Sequence, residues 1–96
     1  MRVKNINGMG SGACACGSWL AHWKRISQEF IPIFCSEQKC PEKPTAGALI
    51  QKDSPTDNSW YVIPLCKGHA AKTGQSITIN DNVTLVPVKA TEACGT

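Results

Sequence analysis

The chain has 96 residues, room for one domain and not two, since a single core usually takes about 100 residues or more. No run approaches the roughly 18 to 20 apolar residues of a membrane span, and the ten Lys and Arg are scattered, with only Lys24 and Arg25 adjacent. The net charge of +3 therefore gives no argument by itself for a polyanionic partner.

A polypeptide this short buries only about 60 to 65% of the surface it exposes when unfolded, so its core alone is a marginal source of stability. Six cysteines and two histidines suggest where further stability comes from. The first residues lack the apolar run of a secretion signal, which places the protein in the cytoplasm as an expectation. Thiols stay reduced there, and closely spaced cysteines read as metal ligands before they read as disulfides.

Residues 1–13 carry Asn5, Asn7, Gly8, Gly10 and Gly12 among few apolar anchors and predict a flexible arm, followed by one zinc-binding domain over residues 14–96. From Ser18, an N-cap candidate, Trp19, Leu20, Trp23, Ile26 and Phe30 recur at helical spacing until Pro32. The two tryptophans are expected to face the core, with Lys24 and Arg25 toward solvent. A loop with Cys35 and Cys40 follows. AGALIQK (46–52) and SWYVIPL (59–65) read as strands paired in a hairpin across the turn-forming DSPTDN. CKGHAAKTG predicts a short helix from Cys66 toward Gly74, a left-handed cap. SITI and VTLVPV around Asn80, Asp81 and Asn82 predict a second hairpin. The expected fold is thus a small α+β domain with an N-terminal amphipathic helix, two hairpins and a short ligand-bearing helix.

Cys66 and His69 are three apart at a helix start, so one turn puts both on one face, while the turn in CSEQKC brings Cys35 and Cys40 together. Three thiolates and an imidazole suit zinc, which is tetrahedral and well served by a Cys3His set. The helix N-terminus should also ease deprotonation of Cys66. Two alternatives stay open: ordinary thiols beside a surface histidine, and a Cys35–Cys40 disulfide closing a small loop.

The order of cysteine loop, hairpin and helix with two further ligands resembles the treble-clef zinc finger. Over residues 33–75, the stretches CSEQKC, AGALI and PLCKGHAAKTG resemble the cysteine-containing HNH endonucleases. That resemblance implies a histidine base on the first hairpin strand and an Asn or His after the last ligand. Leu49 and Ala70 occupy those positions, and neither can move a proton or hold a catalytic metal. The resemblance therefore implies an inactive relative, not an enzyme.

Cys14, Cys16 and Cys94 remain, with His22 as the other borderline-soft ligand. They admit a second zinc site, a disulfide from Cys94 to Cys14 or Cys16, or free thiols; His22 alone also suits a half-buried helical histidine bonded to a carbonyl. A catalytic Cys16–His22 pair has no third orienting residue. The expected function is a noncatalytic zinc module that presents a rigid surface to a protein partner, as a regulator or inhibitor does. Nucleic acid is the second choice, through Lys24, Arg25, Lys67 and Lys72, and residual metal-dependent nuclease activity is the third. No membrane partner is expected.

Overall fold

The computed structural model describes residues 1–6, 19–53, 56–57 and 59–88. It is an α+β fold in which β1 (Arg2–Asn5), β2 (Ala46–Lys52), β3 (Trp60–Leu65), β4 (Ser76–Thr78) and β5 (Val86–Val88) form one antiparallel sheet. Helix α1 (Trp19–Ser27) precedes β2, and the four-residue α2 (Lys67–Ala70) follows β3. The strand order is β4-β1-β2-β3-β5.

The expected first hairpin forms, with Ala46 opposite Leu65, Leu49 opposite Val62 and Gln51 opposite Trp60. Alternation along these strands splits the core in two. Ala48, Ile50, Ile63 and Leu65 join Val3, Cys35, Cys66, Ala70, Ile77 and Ile79 on one face. Leu49 and Val62 turn to the other, where they meet Trp23, Val86 and Val88 with Trp19 packed alongside. Helix α1 thus covers one face of the sheet, while the cysteine loop and α2 cover the opposite one.

As expected from its spacing, α1 buries Trp23 and leaves Lys24 and Arg25 in solvent. It stops at Ser27, well before Pro32, because Gln28 adopts a left-handed φ of 59°. Phe30 is consequently no part of the buried stripe and stands 91% exposed.

Two expectations are corrected. Residues 2–5 are no flexible arm but an interior strand between β2 and β4, with Val3 opposite both Lys52 and Ile77. Residues 7–13 lie outside the described residues. The second hairpin does not form: β4 pairs with β1, β5 pairs with β3, and the two strands edge opposite sides of the sheet. A turn does occur at 80–83, where the Val83 N–H donates to the Asn80 carbonyl at 3.3 Å, but it begins a crossing to the far edge. β5 instead takes the free edge of β3, and β1 takes one side of β4.

Candidate metal centre

The loop that carries Cys35 and Cys40 is tied to the sheet by its backbone. Ser36 N–H donates to Pro64 O at 3.2 Å and Gln38 N–H to Thr78 O at 2.9 Å, while Cys35 N–H donates within the loop to Glu42 O at 2.7 Å. A tight turn from Glu37 to Cys40, closed by Cys40 N–H on Glu37 O at 3.2 Å, returns the second sulfur toward the first. Cys66 then ends β3 as the N-cap of α2, and its sulfur accepts the His69 N–H at 3.4 Å. The helical rise places the His69 ring on the same side as the Cys66 sulfur.

These two pieces converge as the spacing predicted. One ligand atom from each of Cys35, Cys40, Cys66 and His69 lies within 4.8 Å of the others. Cys40 Sγ is 3.8 Å from Cys66 Sγ, and His69 Nδ1 is 3.6 Å from Cys35 Sγ and 3.2 Å from Cys66 Sγ. Four ligands on a tetrahedral zinc, at about 2.3 Å for sulfur and 2.0 Å for nitrogen, stand roughly 3.8 Å apart between sulfurs and about 3.5 Å from sulfur to nitrogen. These three separations are close to those spacings and the others stay within 4.8 Å, so the residues fit a metal ion. All three sulfurs are free thiols, which leaves the Cys35–Cys40 disulfide without support.

Electrostatics separate the sulfurs. Burial pushes the Cys35 thiol up to about 12, against the lowering effect of N–H groups from Cys66 and Glu37; the Cys66 N–H lies 3.2 Å from its sulfur. Burial acts on Cys66 too, but the His69 N–H, the neighbouring Cys40 and Cys35 thiols and the Gly68 N–H outweigh it and hold the group below the ordinary thiol value. The helix start therefore eases deprotonation of Cys66, as the sequence suggested. A divalent cation held by these residues would supply the charge that burial withholds and displace the proton on Cys35.

The histidine ring presents its two nitrogens to different neighbours. Nδ1 faces the sulfurs, while Nε2 is 4.0 Å from Glu37 Oε2. Of the two nitrogens, Nδ1 is the one placed to serve as a ligand. Glu37 escaped the sequence reading, because an acidic residue between two cysteines has the spacing of any solvated loop residue.

Of the second cysteine set, Cys14, Cys16 and Cys94 lie outside the described residues. His22 is more deeply placed than expected, only 4% exposed, with its ring edge-on to Trp19 at a centroid separation of 5.5 Å. The position that the HNH resemblance assigns to a base, Leu49, is buried at 2% exposure against α1, on the sheet face opposite the cluster. Ala70 is likewise buried.

No protein-family model, curated protein or solved structure matches this chain. Fold and site define a small α+β domain built around a Cys3His cluster fit for a metal ion. Among the described residues, no helix is long and apolar enough to cross a membrane.

Proposed function

We propose that this is a noncatalytic zinc module of treble-clef type whose metal holds a rigid surface for a protein partner. The observation that carries the reading is the convergence of Cys35, Cys40, Cys66 and His69 from a loop and a helix start into one tetrahedral-sized cluster. Binding, and not hydrolysis, is favoured because the ligands fill a zinc coordination sphere, and a closed sphere holds structure without activating water. The residues where the HNH resemblance needs a base and its partner, Leu49 and Ala70, are apolar and packed inside.

A protein partner is favoured by the segment that follows α1. Phe30, Ile33 and Phe34 are exposed, Phe30 and Ile33 at 91% and 80%, and they border a groove of about 400 Å³ with Trp23, Pro32 and Val83. Glu29, Asn80, Asn82 and Thr84 line the rest, and exposed apolar side chains rimmed by polar ones have the makeup of an association surface. Ser36, directly after the ligand Cys35, lines the same groove, so the metal loop forms part of its wall.

The test is a pair of measurements on the whole protein. Native mass spectrometry should find one zinc per chain, and Ile33→Asp should abolish capture of a protein partner from the source cell while leaving zinc content and melting temperature intact. Retrieval of nucleic acid alone, with binding that weakens steeply with salt, or nicking of plasmid in magnesium, would overturn it. The nucleic-acid reading draws on Lys67 and Lys72, exposed on either side of His69.

A further inference from the structure

We propose that Glu37 is a positioning residue of the metal site: its carboxylate takes the Nε2–H of His69 and so fixes Nδ1 as the metal ligand. The inference rests on the zinc reading above and adds a group that is not itself a ligand. A neutral imidazole has one N–H and one lone pair, and the nitrogen that binds metal is decided by what receives the proton on the other. In this ring, Nδ1 sits 3.2 Å from Cys66 Sγ and 3.6 Å from Cys35 Sγ, and the carboxylate oxygen 4.0 Å from Nε2 belongs to Glu37.

The carboxylate is not a passing surface group. Its Oε2 already accepts the Lys39 N–H at 3.2 Å. The Glu37 carbonyl accepts the Cys40 N–H, its own N–H points to Cys35 Sγ, and its backbone forms a bridge with Ile79. The Glu37 backbone is therefore held at three points and its carboxylate at one, with its side chain and that of His69 each about four-fifths shielded from solvent. Closing the 4.0 Å separation by about 1 Å, to hydrogen-bond distance, would complete a carboxylate–histidine pair behind the metal position.

The experiment compares wild type, Glu37→Ala and Glu37→Gln by zinc competition against a chromophoric chelator, together with ¹⁵N-histidine spectra of the zinc-loaded proteins. Glu37→Ala should weaken zinc about 10- to 100-fold, and Glu37→Gln, which keeps an acceptor oxygen, should recover part of that loss. The spectra should show Nδ1 ligation and a protonated Nε2 whose hydrogen exchanges slowly in the wild type and faster in Glu37→Ala. A purely structural role, through the Lys39 N–H, would lower the stability of apo and zinc-loaded protein equally and leave that hydrogen unchanged. Nε2 ligation, an unaltered exchange rate, or a Glu37→Ala affinity within about twofold of wild type overturns the proposal and leaves the zinc reading standing. A wild type that takes up no zinc overturns both.

Discussion

The side-chain amide of Asn5 donates to the carbonyl of His69 at 2.7 Å, joining the N-terminal strand to the ligand-bearing helix across 64 residues of chain. The same amide reaches the Ala70 carbonyl at 3.3 Å, so one fully buried side chain serves two carbonyls at the end of α2, of which that of His69 also accepts the Lys72 N–H at 3.2 Å. The Asn5 backbone completes the clamp, donating to Gln75 O at 2.8 Å and accepting from Gly74 N–H at 2.7 Å.

Asn5→Leu should therefore cost about 1 to 3 kcal/mol, since it removes a buried donor shared by two carbonyls and leaves His69 O with the Lys72 N–H. Chemical denaturation measures it. Zinc affinity should fall with it, because His69 loses a contact that anchors its backbone. A variant as stable as wild type would show that water replaces the amide without loss.

Gly47 marks the place where α1 rests directly on β2. A Cβ there would meet the Trp19 carbonyl carbon and the Leu20 nitrogen at 2.4 Å each, both backbone atoms that cannot swing aside. Gly47→Ala should destabilise by about 3 kcal/mol or more, toward the upper end for overpacking. Tryptophan fluorescence should shift as well, because the displaced helix carries Trp23, whose Nε1–H donates to Thr84 O at 2.9 Å. Unchanged melting and emission would mean that the helix shifts without loss.

Legibility of the fold followed how local its causes are. The β2–β3 hairpin and the Cys66/His69 pair are set by contacts a few residues apart, and the sequence disclosed both. The N-terminal strand was hidden because its inward positions are Val3 and Asn5, and a polar residue at the second masks the alternation; Asn5 faces inward to cap α2, which only the tertiary structure requires. The 80–83 turn was visible, but turn chemistry cannot say which strand waits on its far side. Glu37 likewise acquires its meaning only once His69 arrives from 32 positions further along the chain.

Asp57 gives a pH handle outside the metal centre. The Ser59 N–H at 2.9 Å, the Tyr61 hydroxyl at 3.0 Å and Lys52 at 3.4 Å hold its carboxyl below the ordinary value of 3.8. A depressed folded value stabilises the protein above the unfolded value and is lost as pH falls through the folded one, so this contribution should vanish on acidification below about pH 4. An NMR titration of the Asp57 carboxyl should give a midpoint under 3.8, and Asp57→Asn should remove that part of the acid dependence. A midpoint at or above 3.8 would contradict the geometry.

Metal removal is the most demanding test. A Cys3His zinc can supply on the order of 10 kcal/mol, comparable to the whole net stability of so small a domain. Without the ion, three thiols and an imidazole would crowd together where the cysteine loop meets α2, with backbone hydrogen bonds and the Asn5 clamp left to hold loop and helix to the sheet. A strong chelator should therefore lower the melting temperature by tens of degrees or unfold the protein, and Cys66→Ser should do nearly the same without chelator. Cys94→Ser, outside the four-ligand cluster, should have a smaller effect on both zinc content and melting. Equal melting curves with and without chelator, or equal and negligible effects of the two substitutions, would mean that the sheet and α1 hold the fold by themselves.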